Sequence, residues 1–404
     1  MKRLALALFA AAALPAAAQE VTLKFHHIWN PQAMASVNVI GPWCDKIAKE
    51  SNNKLKCQIL PAMSGGGTPP QLVDRVKDGV DDVVITLPGY TAGRFPMMEV
   101  FELPFMTNSA EVGARAAWDY LNKNAKAEFP GTKILATWVH DEGYVHTKDK
   151  PVKTLADFKG LKMRAPTRQT NKLLTALGAS PVGMPLPAIP DAVSKGTIDG
   201  FLLPWEVMPS LKLQEMVKFH SETDPSRPAL YSAVFVFAMN QAKYDSLPAD
   251  LKKVIDDNSG PALSQQIGKI WDGSQAAGRK AAQERGNTFT MIGAAELDNW
   301  VKASASIYDE WVADMDKRGA NGKPFHFLDF ANGRGYAITN EEDFSKVDEA
   351  LLREEQELDA PDILAIKGLG QFERFKAASA FRLMIENWHI SDFHVSDARP
   401  SQED

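Results

Sequence analysis

Apolar runs of strand length alternate with amphipathic runs of helix length along most of the chain. This succession of strand, helix and strand is typical of an open, mostly parallel sheet. It starts near the beginning and restarts after Gly131, so the pattern predicts two α/β lobes. The predicted strands are 21–27, 54–60, 80–87, 133–139, 144–147, 161–164, 198–203 and 230–240, and the predicted helices are 37–49, 69–77, 171–177, 188–195 and 261–284.

The first 18 residues have the pattern of a secretory signal peptide. Lys2 and Arg3 precede an apolar run at 4–14, and the small residues 16–18 come directly before Gln19. The run is too short to cross a bilayer, which takes about 20 apolar residues. We therefore expect a signal peptide of residues 1–18, its cleavage, and export of the remaining chain to a periplasm.

The composition and net charge give no indication of a nucleic-acid or membrane partner. The 404 residues are 45% hydrophobic and 24% charged, which is typical of a globular protein of two or three domains. A net charge of -6 gives no reason to expect nucleic acid or an anionic membrane. Cys44 and Cys57 can form a disulfide in an oxidising compartment, but the sequence does not supply their separation, so their pairing stays open.

The stretch GLKMRAPTR, residues 160–168, places a guanidinium where a short predicted strand ends. Its apolar residues alternate with Lys162 and Arg164, and Pro166 ends the run. A guanidinium matches both oxygens of a carboxylate, and burying it without an anion is costly. Arg164 therefore binds an acidic ligand, pairs with an internal carboxylate, or lies in water. Arg168 is expected to be a solvated residue at the start of a helix.

From about residue 21 to 322 the chain resembles the substrate-binding proteins of tripartite ATP-independent periplasmic (TRAP) transporters. The resemblance implies the two-lobed α/β fold of periplasmic binding proteins, with crossing hinge strands, a long helix spanning both lobes and a ligand in the cleft between them. It rests on DFKGLKMR (157–164), LGASPVGMP (177–185), VSKGTIDG (193–200), YSAVFVFAMN (231–240) and ELPF (102–105).

The resemblance also implies how the chain is divided between the lobes. The expected first lobe comprises residues 19–143 and 233–262, and the expected second lobe comprises 144–232 and 263–335. Residues 336–404 form a C-terminal extension of unknown role.

The extension has a pattern that predicts helices at 341–357 and 372–388. It could pack on the second lobe, form the arm of a dimer, or be partly disordered. Hence the chain is expected to be a monomer or a dimer paired through this arm.

The resemblance implies that Arg164 binds the carboxylate of an organic acid. Some members carry a second arginine after the hinge glycine, where this chain has Val145 and His146, and many carry an asparagine where it has Leu203. Two polar anchors are thereby missing. The expected ligand is a monocarboxylate with an apolar or aromatic body, such as a keto, hydroxy or aromatic acid.

Other residues are expected to line the cleft. Trp205 is either a wall for the apolar body of the ligand or part of the lobe core. His27, at the end of the first strand, is expected to donate a hydrogen bond to the ligand. Gly66 and Gly67 either allow close approach of the backbone to the ligand or form a flexible turn. The remaining candidates are Tyr90 and His146.

The motifs favour binding over catalysis. GxSxG and HExxH are absent, SGGGTPP (64–70) lacks the GK[ST] of a nucleotide loop, and HDEGYVH (140–146) lacks the spacing of metal ligands. The resemblance implies delivery of the acid to a membrane permease. The alternative is an exported two-lobed enzyme acting on small organic acids. No cofactor is expected, although the resemblance leaves open a cation held beside the ligand by Glu206.

Overall fold

The computed structural model of the chain describes residues 20–107, 109–224 and 227–319, and three short strands further on. The chain divides into two compact units, one ending at Trp311 and the other starting at Val312. The strands are β1 (Val21–His27), β2 (Leu55–Leu60), β3 (Val83–Thr86), β4 (Thr132–Val139), β5 (Gly143–Thr147), β6 (Lys162–Ala165), β7 (Ser180–Gly183), β8 (Gly200–Pro204), β9 (Phe219–Thr223), β10 (Val234–Asn240), β11 (Thr288–Ile292), β12 (Leu328–Ala331), β13 (Arg334–Ile338) and β14 (Arg353–Glu357).

The α-helices connect the strands and cover the faces of the sheets. In the part of the chain that the structure describes, no helix combines the length and the apolar character needed to cross a bilayer. The helices are α1 (Gly41–Glu50), α2 (Leu72–Lys77), α3 (Ala110–Tyr120), α4 (Arg168–Ala176), α5 (Ile189–Ser194), α6 (Gln241–Ser246), α7 (Ala249–Asp257), α8 (Pro261–Asp272), α9 (Gln275–Glu284), α10 (Ala294–Ser304) and α11 (Ser306–Lys317).

The first lobe is built on a five-stranded sheet in the order β2-β1-β3-β10-β4. Strands β1, β2 and β3 are parallel, and β10 lies antiparallel between β3 and β4. Every residue of β10 is buried, as expected for a strand covered on both faces. Phe25 stacks on Phe237, and Trp43 packs edge-on against both. A disulfide between Cys44 and Cys57 joins α1 to β2.

The second lobe is built on a six-stranded sheet in the order β11-β9-β5-β8-β6-β7. Strand β6 is parallel to both of its neighbours, so Arg164 lies opposite Val182 of β7 and Phe201 of β8. Since parallel strands end at a common edge, this register brings the end of β6 close to the end of β8. The predicted two-lobed α/β fold is confirmed.

Two chain segments cross between the lobes side by side. One runs from β4 to β5, and the other from β9 to β10. The backbone N–H of Gly143 donates to the carbonyl of Tyr231 at 3.2 Å, and that of His140 donates to the carbonyl of Ala233 at 3.2 Å. These bonds pair the crossings as a short antiparallel ribbon, which is the predicted pair of hinge strands.

Helices α8 and α9 make a third connection. Helix α8 packs on α3 and β4 of the first lobe, whereas α9 packs on residues 205–207 of the second. The sequence pattern predicts one helix over 261–284, but Gly273 and Ser274 interrupt it; both have lower helix propensity than alanine or leucine. Gly278 of α9 lies so close to the carbonyl of Trp205 that a Cβ would overlap it.

The second compact unit contains a three-stranded antiparallel sheet in the order β12-β13-β14. The prediction of a helix over 341–357 is wrong for Arg353–Glu357, which pairs with Arg334–Ile338 as a strand. Its residues are all charged or amide-bearing. Without apolar residues, hydrophobic periodicity cannot distinguish a strand from a helix here. The predicted helix at 372–388 lies outside the described residues.

Candidate functional site

Arg164 is buried at the end of β6 without a carboxylate partner among the described residues. Its side chain is 2% exposed. Nε donates to the carbonyl of Met184 at 3.0 Å, and Nη1 donates to the carbonyl of Leu202 at 2.9 Å. Burial lowers the pKa of the guanidinium, but an arginine side chain keeps its proton in proteins. The carbonyls orient the side chain without neutralising it, so a buried positive charge remains available to an anion.

Arg164 lies in the wall of a cleft between the lobes. The space not filled by protein atoms measures about 350 Å³, including its open mouth. The first lobe and the crossings contribute Ile28, Trp29, Leu87, Tyr90, His140, Tyr231, Ala233 and Phe235, and the second lobe contributes Arg164, Pro166, Leu186, Leu203, Pro204, Glu206 and Val207.

Two tyrosines surround the guanidinium in this cleft. Burial raises the pKa of the Tyr90 and Tyr231 hydroxyls, and the nearby charge of Arg164 offsets part of each rise. Tyr90 also accepts a hydrogen bond from the backbone N–H of Leu186 at 3.1 Å. Both hydroxyls therefore keep their protons near neutral pH and can donate hydrogen bonds to an anion that reaches Arg164.

Most of the remaining cleft wall is apolar. Trp29 stacks on Phe235 with ring centroids 5.6 Å apart, and Leu203, Val207 and Ile28 add aliphatic surface. Leu203 occupies the position at which the family resemblance implies a polar anchor. A wall with flat aromatic and aliphatic surfaces favours an apolar body for the ligand.

A second polar group, Glu206, lines the cleft. It is 8% exposed, its carboxyl group lies near the indole N–H of Trp271, and Oε2 has no partner in hydrogen-bond geometry among the described residues. The carboxyl group of Asp141 lies near enough to that of Glu206 for the two to interact electrostatically. Burial raises the pKa of Glu206 to about 8, and burial and Glu206 together raise that of Asp141 well above its usual range. We infer that the two carboxyl groups hold at least one proton between them at neutral pH.

Several hydrogen bonds and one ion pair join the lobes around the cleft. Tyr90 of the first lobe bonds to Leu186 of the second, and the Asn30 side-chain amide donates to the carbonyl of Ser210 at 2.6 Å. Arg168 is not simply solvated, because it starts α4 and forms an ion pair with Glu99 of the first lobe. The lobes are thus in a closed arrangement.

Trp205 and His146 do not line this cleft. Trp205 is 1% exposed, donates through its indole N–H to Glu222 at 3.0 Å, and stacks on Phe289. His146 lies behind it, edge-on, with Nε2 2.9 Å from the carbonyl of Leu203. Burial lowers the pKa of His146 to about 4, so the ring is neutral. Both residues lie in the interior of the second lobe.

His27 and the two glycines also lie outside the residues that line the cleft. His27 is fully buried beside Phe25 and Trp29, and neither ring nitrogen has a partner among the described residues. Burial lowers the pKa of His27 to about 4, with His26 contributing. Gly66 and Gly67 both have φ of +81°, which is the left-handed conformation of a turn.

The described residues offer little for a resident metal ion. Across the described ranges, no three His, Cys, Asp or Glu side chains converge closely enough to hold one. The cation that the family resemblance leaves open at Glu206 stays a prediction.

Sequence reasoning missed much of the cleft wall. Tyr231 and Phe235 belong to the predicted strand 230–240, where only their alternation indicates a shared face. Trp29 follows β1 in a loop, and His140 has no sequence signal beyond its place in HDEGYVH. A wall assembled from loops and crossing segments has no periodic signal that one sequence could reveal.

Comparison with known proteins gives a consistent picture. The family model described as bacterial extracellular solute-binding protein, family 7, matches residues 25–314. A TRAP solute-binding protein from Rhodoferax ferrireducens, solved with copurified benzoate, is 54% identical to this chain. That match covers 75% of this chain and 94% of the other, with a TM-score of 0.74.

Two further structures bind aromatic acids. A marine-metagenome TRAP solute-binding protein described as specific for aromatic acids, solved with 3-hydroxybenzoate, is 46% identical over 75% of this chain and 95% of that one, with a TM-score of 0.73. A TRAP periplasmic solute-binding protein from Bordetella bronchiseptica, with bound (R)- and (S)-mandelate, is 28% identical over the same shares, with a TM-score of 0.69.

Proposed function

This chain belongs to the bacterial extracellular solute-binding protein family 7, and from that premise we propose that it captures an aromatic monocarboxylate for a TRAP transporter. The ligand is an acid of one carboxylate and one ring, such as benzoate, a hydroxybenzoate or a related keto or hydroxy acid. The chain binds and releases this acid without changing it chemically.

The observation that carries the proposal is the charge state of the cleft. Arg164 is buried and positive, and no carboxylate of the described residues neutralises it. A buried cation without a counter-ion is costly. A ligand carboxylate lowers that cost, and Tyr90 and Tyr231 can hydrogen-bond to it as well.

The apolar wall selects the rest of the ligand. Trp29 and Phe235 present stacked rings, and Leu203 lines the cleft where the family resemblance implies a polar anchor. A second carboxylate or a polyhydroxylated chain would lose its hydration here without finding equivalent partners. The relatives that bind benzoate, 3-hydroxybenzoate and mandelate support the same choice of an aromatic acid.

Closure of the lobes provides the mechanism of capture. The acid pairs with Arg164 on the second lobe, and the first lobe then closes over its ring through Trp29 and Tyr90. The ligand favours the closed form only by the difference between its affinities for the two forms. Exclusion of water strengthens the ion pair inside the closed cleft.

The remaining roles follow from the family. Residues 1–18 serve as a cleavable signal peptide that directs the chain to the periplasm. There the closed form docks on a membrane permease with a small and a large subunit, which receives the acid. Neither a resident cofactor nor a catalytic group is required. The ligand set is Arg164 with Tyr90, Tyr231, Trp29 and Phe235.

The test begins with native mass spectrometry of the purified protein and identification of any copurified acid. Isothermal titration calorimetry then compares benzoate, hydroxybenzoates, mandelate, succinate and gluconate. We expect tight binding of the aromatic monocarboxylates and recovery of each acid unchanged after incubation. Preferred binding of succinate or gluconate would contradict the ligand class, and conversion of an acid would favour the enzyme alternative.

A further inference from the structure

Glu206 has no role in the proposed binding of the ligand carboxylate. It lines the same cleft as Arg164, yet Oε2 is buried and has no hydrogen-bond partner among the described residues. A buried carboxyl oxygen without a partner is costly. A ligand group that reaches it inside the closed cleft removes that cost.

The surroundings of Glu206 favour its neutral form. Asp141 interacts electrostatically with Glu206, both of its oxygens also lack partners among the described residues, and the hydroxyl of Tyr231 is nearby. Burial raises the pKa of Glu206 to about 8. As a neutral carboxyl, Glu206 can donate a hydrogen bond through its O–H group.

His140 supplies the complementary acceptor. Its Nδ1 lies 2.6 Å from the backbone carbonyl of Asp141. Because a carbonyl only accepts, Nδ1 carries the proton. Burial lowers the pKa of the ring to about 4, and the charge of Arg164 contributes to this shift. The imidazole is therefore neutral, with a lone pair on Nε2, and His140 lines the same cleft as Glu206.

We propose that Glu206 and His140 form a subsite for a hydroxyl substituent on the ring of the bound acid, with Glu206 donating to the hydroxyl oxygen and His140 Nε2 accepting from its proton. The subsite rests on the proposed function, because Arg164 must first hold the carboxylate. A hydroxyl satisfies both groups at once since it is a donor and an acceptor. The preferred ligand is then a hydroxylated aromatic acid rather than its unsubstituted parent.

Calorimetry with benzoate and the three hydroxybenzoate isomers tests the subsite in the full chain. In the wild type we expect at least one isomer to bind about tenfold more tightly than benzoate, the net factor expected from the two hydrogen bonds after the hydroxyl loses its hydration. Glu206→Leu and His140→Phe should each remove this advantage, so that the preferred isomer and benzoate bind the variant with equal affinity. Glu206→Gln keeps a donor of similar shape and should retain part of the advantage.

The outcomes separate the subsite from the proposed function. Failure of every acid to bind the wild type would overturn both proposals. Binding of benzoate with no advantage for any isomer, or an advantage that survives Glu206→Leu, would overturn the subsite alone. If circular dichroism shows that Glu206→Leu does not fold, His140→Phe decides, because an advantage that persists without the acceptor contradicts the subsite.

Discussion

Arg168 at the start of α4 and Glu99 in the first lobe form an ion pair that joins the two lobes. Arg168 Nε lies 3.1 Å from Oε1 and 2.9 Å from Oε2 of Glu99, and the Gln169 side-chain amide donates to Oε2 at 2.6 Å. Glu99 is 3% exposed. Opening of the cleft would separate these groups, so the pair stabilises the closed form specifically.

Arg168→Leu should therefore weaken ligand binding, although Arg168 is not among the residues that line the cleft. Removing one partner of a buried pair typically costs about 3–5 kcal/mol, but opening would return Glu99 to water and limit this loss. We expect the dissociation constant for benzoate to rise on the order of tenfold, mainly through faster release. Stopped-flow fluorescence measures the release rate.

A matched control uses an ion pair within one lobe. Arg94 pairs with Asp74, and both side chains are partly exposed. Arg94→Leu should change the release rate by less than about twofold, since exposed pairs contribute roughly 0–1 kcal/mol. Equal effects of Arg94→Leu and Arg168→Leu would show that the Glu99 pair does not control closure.

Arg164→Ala should abolish high-affinity binding of every acid. It removes the buried positive charge, and we expect the dissociation constant to rise by at least about a hundredfold. Arg164→Lys keeps a charge but loses the planar fork, so an intermediate loss is expected. Titration calorimetry measures both, with thermal unfolding to verify the fold. Retained affinity within a few fold for Arg164→Ala would contradict the assignment.

Trp205→Ala distinguishes the two roles that the sequence left open. Trp205 packs against His146 and Phe289 and bonds to Glu222, so its loss should cost about 3–5 kcal/mol of folding stability. Affinity for aromatic acids should change by less than about threefold. Urea unfolding and calorimetry measure the two quantities. A selective loss of aromatic acids at unchanged stability would instead indicate a ligand wall.

Gly143→Ala should perturb the site through its neighbour. A Cβ at Gly143 would overlap the ring of Tyr231, so the ring must shift from its present position beside Arg164. We expect affinity to fall about tenfold, with a loss of about 1–3 kcal/mol in stability from overpacking. Gly293→Ala is the control, because no atom lies within 4 Å of its added Cβ. Unchanged benzoate affinity in Gly143→Ala would exclude this coupling.

Glu206 makes stability depend on pH. Its pKa is raised from an ordinary value of 4.5 to about 8, so the folded state keeps a proton that the unfolded state releases. The free energy of unfolding should therefore fall between about pH 4.5 and 8, by up to about 1.4 kcal/mol per unit. Glu206→Gln should flatten this slope in urea titrations. Asp141 acts in the same direction, so part of the slope should persist. An unaltered slope in Glu206→Gln would show that Glu206 does not bind the proton.

The lobes were predictable because their strands are short, apolar and regularly spaced. Arg164 was predictable for a different reason: it ends a strand within a recognisable string. Trp29 and Tyr231 were not, since their place in the cleft depends on how two lobes meet, which no local periodicity records. Trp205 was expected as a possible cleft residue but lies in the interior of the second lobe. The sequence around a tryptophan is the same in both cases, so it cannot distinguish them.

Both carbonyls that orient Arg164 belong to its own lobe. The guanidinium therefore keeps its orientation when the first lobe moves away. An incoming acid first interacts with this charge. The first lobe contacts the body of the acid only later, when the cleft closes. Acetate should pair with Arg164 but lacks a ring to contact the first lobe, so it should dissociate before the cleft closes. Selectivity among anions would then lie in the dissociation rate rather than in the association rate.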